Sequence, residues 1–262
     1  MASPRNSDQP KSLLDGVEAS VSGALSITSL RHRSAVLKLL PFDGRLLAAE
    51  IFETIRQNYL ASNATANKDR SKQNWRWHSL QPQIAPHNRS PEVIIERAIA
   101  AACVALNRTD WANQIPVASG LVEGLGDGRR AIDLARRHGE KHFELIELKI
   151  ASDNPLYAAV ELVGYACLWL LARSDRPGRS SALLDAERID LTVLAPEAYY
   201  GRFPVAEIEG SFDEGVRALG GAMGVAMSFC FRRLDGSIDA GNLPTQQELL
   251  DLLEHSLPAC LT

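Results

Sequence analysis

Hydrophobic positions recur along this chain with two different periods. In DGRLLAAEIFETIRQNYL, residues 43–60, Leu46, Leu47, Ile51, Ile55 and Leu60 fall at helical spacing, and Asp43 is placed to cap the helix. SPEVIIERAIAAACVALN predicts a second helix, with Ser90 as N-cap, Pro91 at its first position and Glu92 in its first turn. After Arg97 it is nearly all apolar and must be buried on several sides. The pattern then changes to short segments. NQIPVASGLV, RRAIDLA and HFELIELKI read as strands, separated by LGDG and the polar RRHGEK. LYAAVELVGYACLWLLAR predicts a long buried helix, capped by Asp153 or Asn154 with Pro155 at its start. RIDLTVLAP and AMSFCFRRL read as strands, SFDEGVRALGGAMG and PTQQELLDLLEHSL as helices. The order is helix, strand meander, helix, strand, helix, strand, helix, which specifies a mixed α/β layered fold.

Domain organisation follows from the flanks. Residues 1–30 are rich in Ser, Asn, Pro and Gly and predict a mobile or loosely docked tail. Residues 31–90 form a helical extension ending in the linker SNATANKDRSKQ, and residues 91–262 form the main domain.

Composition narrows the class. A hydrophobic share of 45% with 23% charged residues is that of an ordinary globular protein. Cys103, Cys167, Cys230 and Cys260 are scattered without a CxxC pair, so they read as reduced structural thiols of a cytoplasmic protein. The N-terminus lacks an apolar signal core, and the longest apolar stretch, Ala166 to Ala172, is too short to span a bilayer. A net charge of −4 supplies no global attraction to nucleic acid. Local basic clusters do exist: Lys68, Arg70, Lys72 and Arg76; Arg129 and Arg130; Arg136, Arg137 and Lys141; Arg173, Arg176 and Arg179. Each is either solvated surface or a phosphate contact. Trp75, Trp77 and His78 lie among them and could stack on bases, but packing that pins the linker to the domain is the favoured reading.

The unusual chemistry lies in HFELIELKI. In a strand, Phe143, Leu145, Glu147 and Lys149 share one face, so an apolar face ends in an acid and an ammonium. Asp133 likewise interrupts the apolar run of the preceding strand. A five-residue loop, His138 to His142, places Asp133 across from Glu147, with Cβ atoms about 4.5–5.5 Å apart. An even, two-residue turn places them on opposite faces. Two carboxylates held that close need a cation or a proton between them, and Mg²⁺ or Mn²⁺ suits their oxygens, with the Leu148 carbonyl as a further donor. The structural alternative is a buried Glu147–Lys149 salt bridge, with Asp133 paired to an arginine.

Asp133 followed by Glu147-Leu148-Lys149 resembles the D…ExK signature of the PD-(D/E)xK, restriction-endonuclease-like superfamily; Ile132 stands where the literal motif has proline. The resemblance implies a restriction-endonuclease-like mixed sheet flanked by helices, here with the N-terminal helical extension. It also implies a Mg²⁺- or Mn²⁺-dependent nuclease acting on nucleic acid, with DNA the expected substrate. Asp133 and Glu147 would be metal ligands and Lys149 the residue assisting the nucleophile. The acid on the first helix would be Glu96, with Glu92 as the other candidate. Glu161 and Tyr165, one turn apart on the helix after the signature strand, would support the site. Nucleic-acid contacts fall to Arg70, Lys72, Arg76, Arg129 and Arg130, and a homodimer is compatible with the family. A family member that kept the fold but serves as a nucleic-acid- or protein-binding module is the competing expectation.

Overall fold

The computed structural model describes residues 10, 12–61, 75–77, 80–117, 130–175 and 181–259. The elements run α1 (Val17–Ala24), α2 (Arg33–Val36), α3 (Gly44–Ala61), α4 (Pro91–Ala105), β1 (Trp111–Pro116), β2 (Ala131–Gly139), β3 (His142–Leu148) and α5 (Pro155–Ser174). Then follow β4 (Arg188–Pro196), α6 (Glu197–Tyr200), α7 (Val205–Ala222), β5 (Ala226–Leu234), α8 (Gln246–Glu254) and β6 (Leu257–Pro258).

The strands form one sheet in the order β1-β2-β3-β4-β5-β6. β1 to β3 make an antiparallel meander, β3, β4 and β5 are parallel, and β6 closes the edge antiparallel to β5. The α5 and α7 crossovers explain the parallel pairs, because parallel neighbours need a long connection. Alternation along each strand then feeds two cores. Phe143, Leu145, Leu191, Val193, Phe229 and Phe231 face the layer containing α1, α3, α5 and α7. Ile146, Leu148, Leu194 and Leu234 face α4 and α8.

The helix caps expected from the sequence are formed. Ser90 accepts from the Val93 amide and Asn154 from the Tyr157 amide, each with proline opening the helix. Asp43 accepts from the amides of Arg45 and Leu46 at 2.8 and 3.1 Å. The chain between α7 and β5 turns at Gly224 with φ 70°, a conformation suited to glycine.

The N-terminal expectation is corrected. Residues 12–61 are not an appendage beside a separate domain: Leu13, Val17, Val21, Leu30, Ile51 and Ile55 are buried in the same core as α5 and the sheet. The segment before α3 is polar at many positions, but Leu13, Val17, Val21, Leu30 and Val36 point inward together, while Leu37 and Leu40 stay exposed. α3 crosses α7 so closely that a Cβ on Gly44 would lie 1.6 Å from the Ser211 carbonyl oxygen, and one on Gly215 would lie 2.1 Å from that of Gly44. Residues 1–9 lie outside the described residues.

α5, with 20 residues, is long and apolar enough to cross a membrane, but 83% of its most apolar window is buried inside the fold. It is the helix on which the sheet packs.

Candidate active site

The site depends on one extra residue. β2 and β3 join through a two-residue turn, Glu140 and Lys141, with Gly139 paired to His142. That turn alone would set Asp133 and Glu147 on opposite faces. Between Gly139 and Arg137 the register shifts by one, leaving His138 as a bulge, and the pairs become Arg137↔Phe143 through Leu134↔Ile146. The register expected from a five-residue loop is therefore reached by a turn plus a bulge. Continued by one residue, it brings Asp133 opposite Glu147.

At that point the ladder ends. Instead of backbone pairing, the Leu148 amide donates to Asp133 Oδ2 at 3.0 Å. The Lys149 amide still donates to the Leu194 carbonyl of β4 at 3.0 Å. β2 and β3 thus part where the acids stand, with Glu147 buried and Asp133 half-buried.

Glu147 and Lys149 lie on the α5 side of the sheet. Lys149 Nζ sits 2.9 Å from Glu147 Oε1 and 2.8 Å from Glu161 Oε2. Glu161 Oε1 accepts from the Tyr165 hydroxyl at 3.2 Å, and an Arg130 guanidinium nitrogen lies 3.8 Å away. Glu147 Oε2 is buried with no hydrogen-bond partner. The Glu147–Lys149 salt bridge foreseen as the structural alternative is present. Among the described residues its other half is not: no arginine is bridged to Asp133, which is held by a backbone amide, and the charges acting on it include Lys149, Glu161 and Glu92.

The electrostatics follow from this packing. Burial lifts the Asp133 carboxyl to about 6, against the pull of the Leu148 amide and Lys149. Burial, then the neighbouring Asp133, holds Glu147 well above the usual carboxylate range. Burial works against the Lys149 ammonium, but Glu147 and Glu161 more than restore it. Glu161 is also opposed by burial, yet the Lys149 charge keeps it below its ordinary value. Burial and Glu161 raise the Tyr165 phenol.

Glu96 arrives from the other layer, since α4 packs against the opposite face of the sheet. Its carboxylate accepts from Asn113 Nδ2 at 2.9 Å, while Gln114 Nε2 donates to both oxygens at 3.1 Å. Burial, then Asp133, pushes it up to about 8. Gln114 occupies the register position opposite Asp133, between Asn113↔Leu134 and Ile115↔Ile132, with φ at +51°. A left-handed non-glycine residue inside a strand costs on the order of 1–3 kcal/mol, a cost found mostly at functional positions. Nothing in the hydrophobic alternation marked Asn113 or Gln114. Glu92 instead binds the loop after β3, accepting from the amides of Ile150 and Ala151 and from the Ser152 hydroxyl.

The basic clusters divide. Arg70, Lys72 and Arg129 lie outside the described residues, as do Lys68, Arg176, Arg179 and His78. Arg76 is exposed and Arg130 stands beside Glu161. Arg136 pairs with Asp110 and Glu254, and Lys141 with Glu187. Arg173 donates to the carbonyls of Leu184 and Ala186. Arg137 lies over the Trp77 ring, which packs edge-on to Phe143. Trp75 is 1% exposed, so the tryptophans pin the chain to the domain.

Among the described residues, no three His, Cys, Asp or Glu side chains converge closely enough to hold a metal by themselves. The fit to a divalent ion rests on a smaller set: the unpartnered Glu147 Oε2 and the adjacent Asp133. That set matches Mg²⁺, which is often bound through one or two carboxylates and keeps several waters. Fold and site together define an α/β protein with a buried acid–lysine cluster where two strands separate. No family model, curated protein or solved structure matches the chain.

Proposed function

We propose that this protein is a Mg²⁺-dependent nuclease with a restriction-endonuclease-like arrangement, hydrolysing phosphodiester bonds, with DNA as the substrate. The observation that carries the reading is Glu147 Oε2, a buried carboxylate oxygen with no partner, beside the half-buried carboxylate of Asp133. Such an oxygen costs stability unless a ligand or proton satisfies it.

Asp133 and Glu147 would hold the ion, with the Leu148 carbonyl as a further donor. When bound, Mg²⁺ supplies a lowered water pKa and polarises a phosphoryl oxygen. The chain's own residues do the rest. Lys149 brings a fixed positive charge to the face where charge builds up on phosphorus during attack. Glu161 fixes that ammonium, and Tyr165 and Arg130 orient Glu161. Glu96, locked by two amides, sets the field around Asp133 and could reach the ion through water. Arg76 and Arg130 are candidate phosphate contacts, together with Arg70, Lys72 and Arg129. A cytoplasmic protein, acting alone or as a homodimer, fits this reading.

A specific observation favours a second reading. Lys149 is bridged between two acids, a closed arrangement suited to a nuclease-like fold used only for binding. Plasmid nicking with Mg²⁺ or Mn²⁺ separates the two. Wild type should nick, whereas Lys149→Ala should lose at least about 100-fold. Equal nicking in both would assign the activity elsewhere, and DNA retardation without nicking would favour the binding module.

A further inference from the structure

Tyr199 was singled out by no motif, yet its hydroxyl is buried without a hydrogen-bond partner, and the residue is 4% exposed. Its neighbour shows what a structural tyrosine does here. Tyr200 donates to the carbonyl oxygens of Val193 and Arg232, both at 2.8 Å. Tyr199 makes no such bond, so its hydroxyl costs stability where it stands.

Its position explains what it could serve. β4 runs parallel to β3, and the Lys149 amide bonds to Leu194, two residues before β4 ends. α6 begins directly after, so it stands beside the C-terminal end of β3. Tyr199 packs in the cluster on the α5 face of the sheet, with Tyr165. The charged groups acting on it are Lys149, Asp153, Glu147 and Glu161, the cluster of the candidate site and the α5 entry. An open α/β sheet presents ligands at the carboxyl ends of its strands, and α6, which carries Tyr199, lies there.

We propose that Tyr199 is a substrate-binding residue of this site, its hydroxyl donating a hydrogen bond to a non-bridging oxygen of the phosphate that enters beside Lys149. The inference rests on the nuclease reading for the substrate and on the unpartnered hydroxyl for the residue. Glu161 and Glu147 already occupy the ammonium of Lys149, so an entering phosphate needs a neutral donor that no carboxylate has claimed.

Tyr199→Phe removes only the oxygen. The variant should melt at the same temperature as wild type or a few degrees higher, because a buried hydroxyl without a partner gives nothing up. Single-turnover cleavage of a DNA duplex in Mg²⁺ should slow by about 10-fold or more. Calorimetric titration of inorganic phosphate into the Mg²⁺-loaded protein should show affinity weakened about 5-fold, with Mn²⁺ affinity unchanged. Wild-type rates and phosphate affinity in the variant would overturn the proposal and leave the nuclease reading standing. So would a loss of several degrees in melting temperature with phosphate affinity intact, the mark of a structural hydroxyl. Weakened phosphate binding in a protein that never cleaves would overturn the nuclease reading and keep Tyr199 as an oxyanion donor. A wild type that neither cleaves nor binds phosphate would overturn both.

Discussion

Strand β3 buries an acid at each end, and the two are treated differently. Near its start, Glu144 is 7% exposed, with Thr192 Oγ1 donating to one oxygen at 2.6 Å and His138 Nε2 set 3.0 Å from the other. Burial opposes its charge, but those partners hold it below its ordinary value. Asp190 next door is likewise served by Ser228, His142 and Arg188. Near the end of the strand, Glu147 is 5% exposed, has one orphaned oxygen and faces Asp133. Burial is nearly the same in both places. The difference is satisfaction: a closed polar cluster explains itself by the fold, whereas an open one implies a missing partner.

Removing the acid at each end should give opposite results. Glu147→Gln keeps the shape and an acceptor for Lys149 but removes a metal ligand. Cleavage should fall by at least about 1,000-fold, while the metal-free protein gains about 1 kcal/mol from relief of like-charge repulsion. Nicking assays and urea denaturation with EDTA check the two halves. A variant that is less stable without metal and still active would mean that Glu147 is an ordinary ion-pair residue, and the contrast with Glu144 would collapse.

Glu144→Ala tests the closed end. It strips Thr192 and His138 of their acceptor and should destabilise the fold by about 3 kcal/mol, read as a lower denaturation midpoint at unchanged m. Cleavage per folded molecule should stay within about twofold. A large loss of activity with stability intact would move the functional site to the wrong end of the strand.

The sequence carried much of this because its strongest signals are local. Period-two alternation in HFELIELKI named the face shared by Phe143, Leu145, Glu147 and Lys149, and the structure places Phe143 and Leu145 in the α5-side core, with Lys149 against Glu161. β4 and β5 coincide with RIDLTVLAP and AMSFCFRRL, apolar runs bounded by helix signals. What stayed hidden depends on contacts remote in sequence or on backbone geometry. Leu13 and Val17 looked like tail residues because their partners on α3 and α5 lie far along the chain. The His138 bulge has no residue-level signature, so the sequence points to a five-residue loop where the structure has a two-residue turn and a bulge. Gln114 reads as a strand residue, and neither its left-handed backbone nor its hydrogen bonds to Glu96 have a signal in the alternation. Tyr199 and Tyr200 are the same residue type side by side; only the structure tells the bonded hydroxyl from the unbonded one.

The smallest effect sharpens the contrast through pH. The folded protein holds Asp133 at about 6 and Glu96 at about 8, above their ordinary carboxylate values. Raised acids stabilise the fold while they remain protonated, and that stability is lost as pH climbs from the unfolded range near 4 through those values. Glu144, Glu161 and Asp190 are lowered, so their contribution is complete above about pH 4.5 and lost only as pH falls toward acid. Between pH 5 and 8, the raised acids Asp133 and Glu96 therefore tilt the slope downward, and the lowered acids add nothing to it. Without divalent ions, the melting temperature should decline across this window, by about 1–2 kcal/mol in stability once relaxation is allowed for. Glu96→Gln should flatten the decline and Glu144→Gln should not. Mg²⁺ needs ionised carboxylates, so the stabilisation it adds should grow as pH rises over the same interval. A metal-free melting temperature that stays level or rises from pH 5 to 8, scanned by calorimetry, would show that Asp133 and Glu96 are satisfied without a ligand.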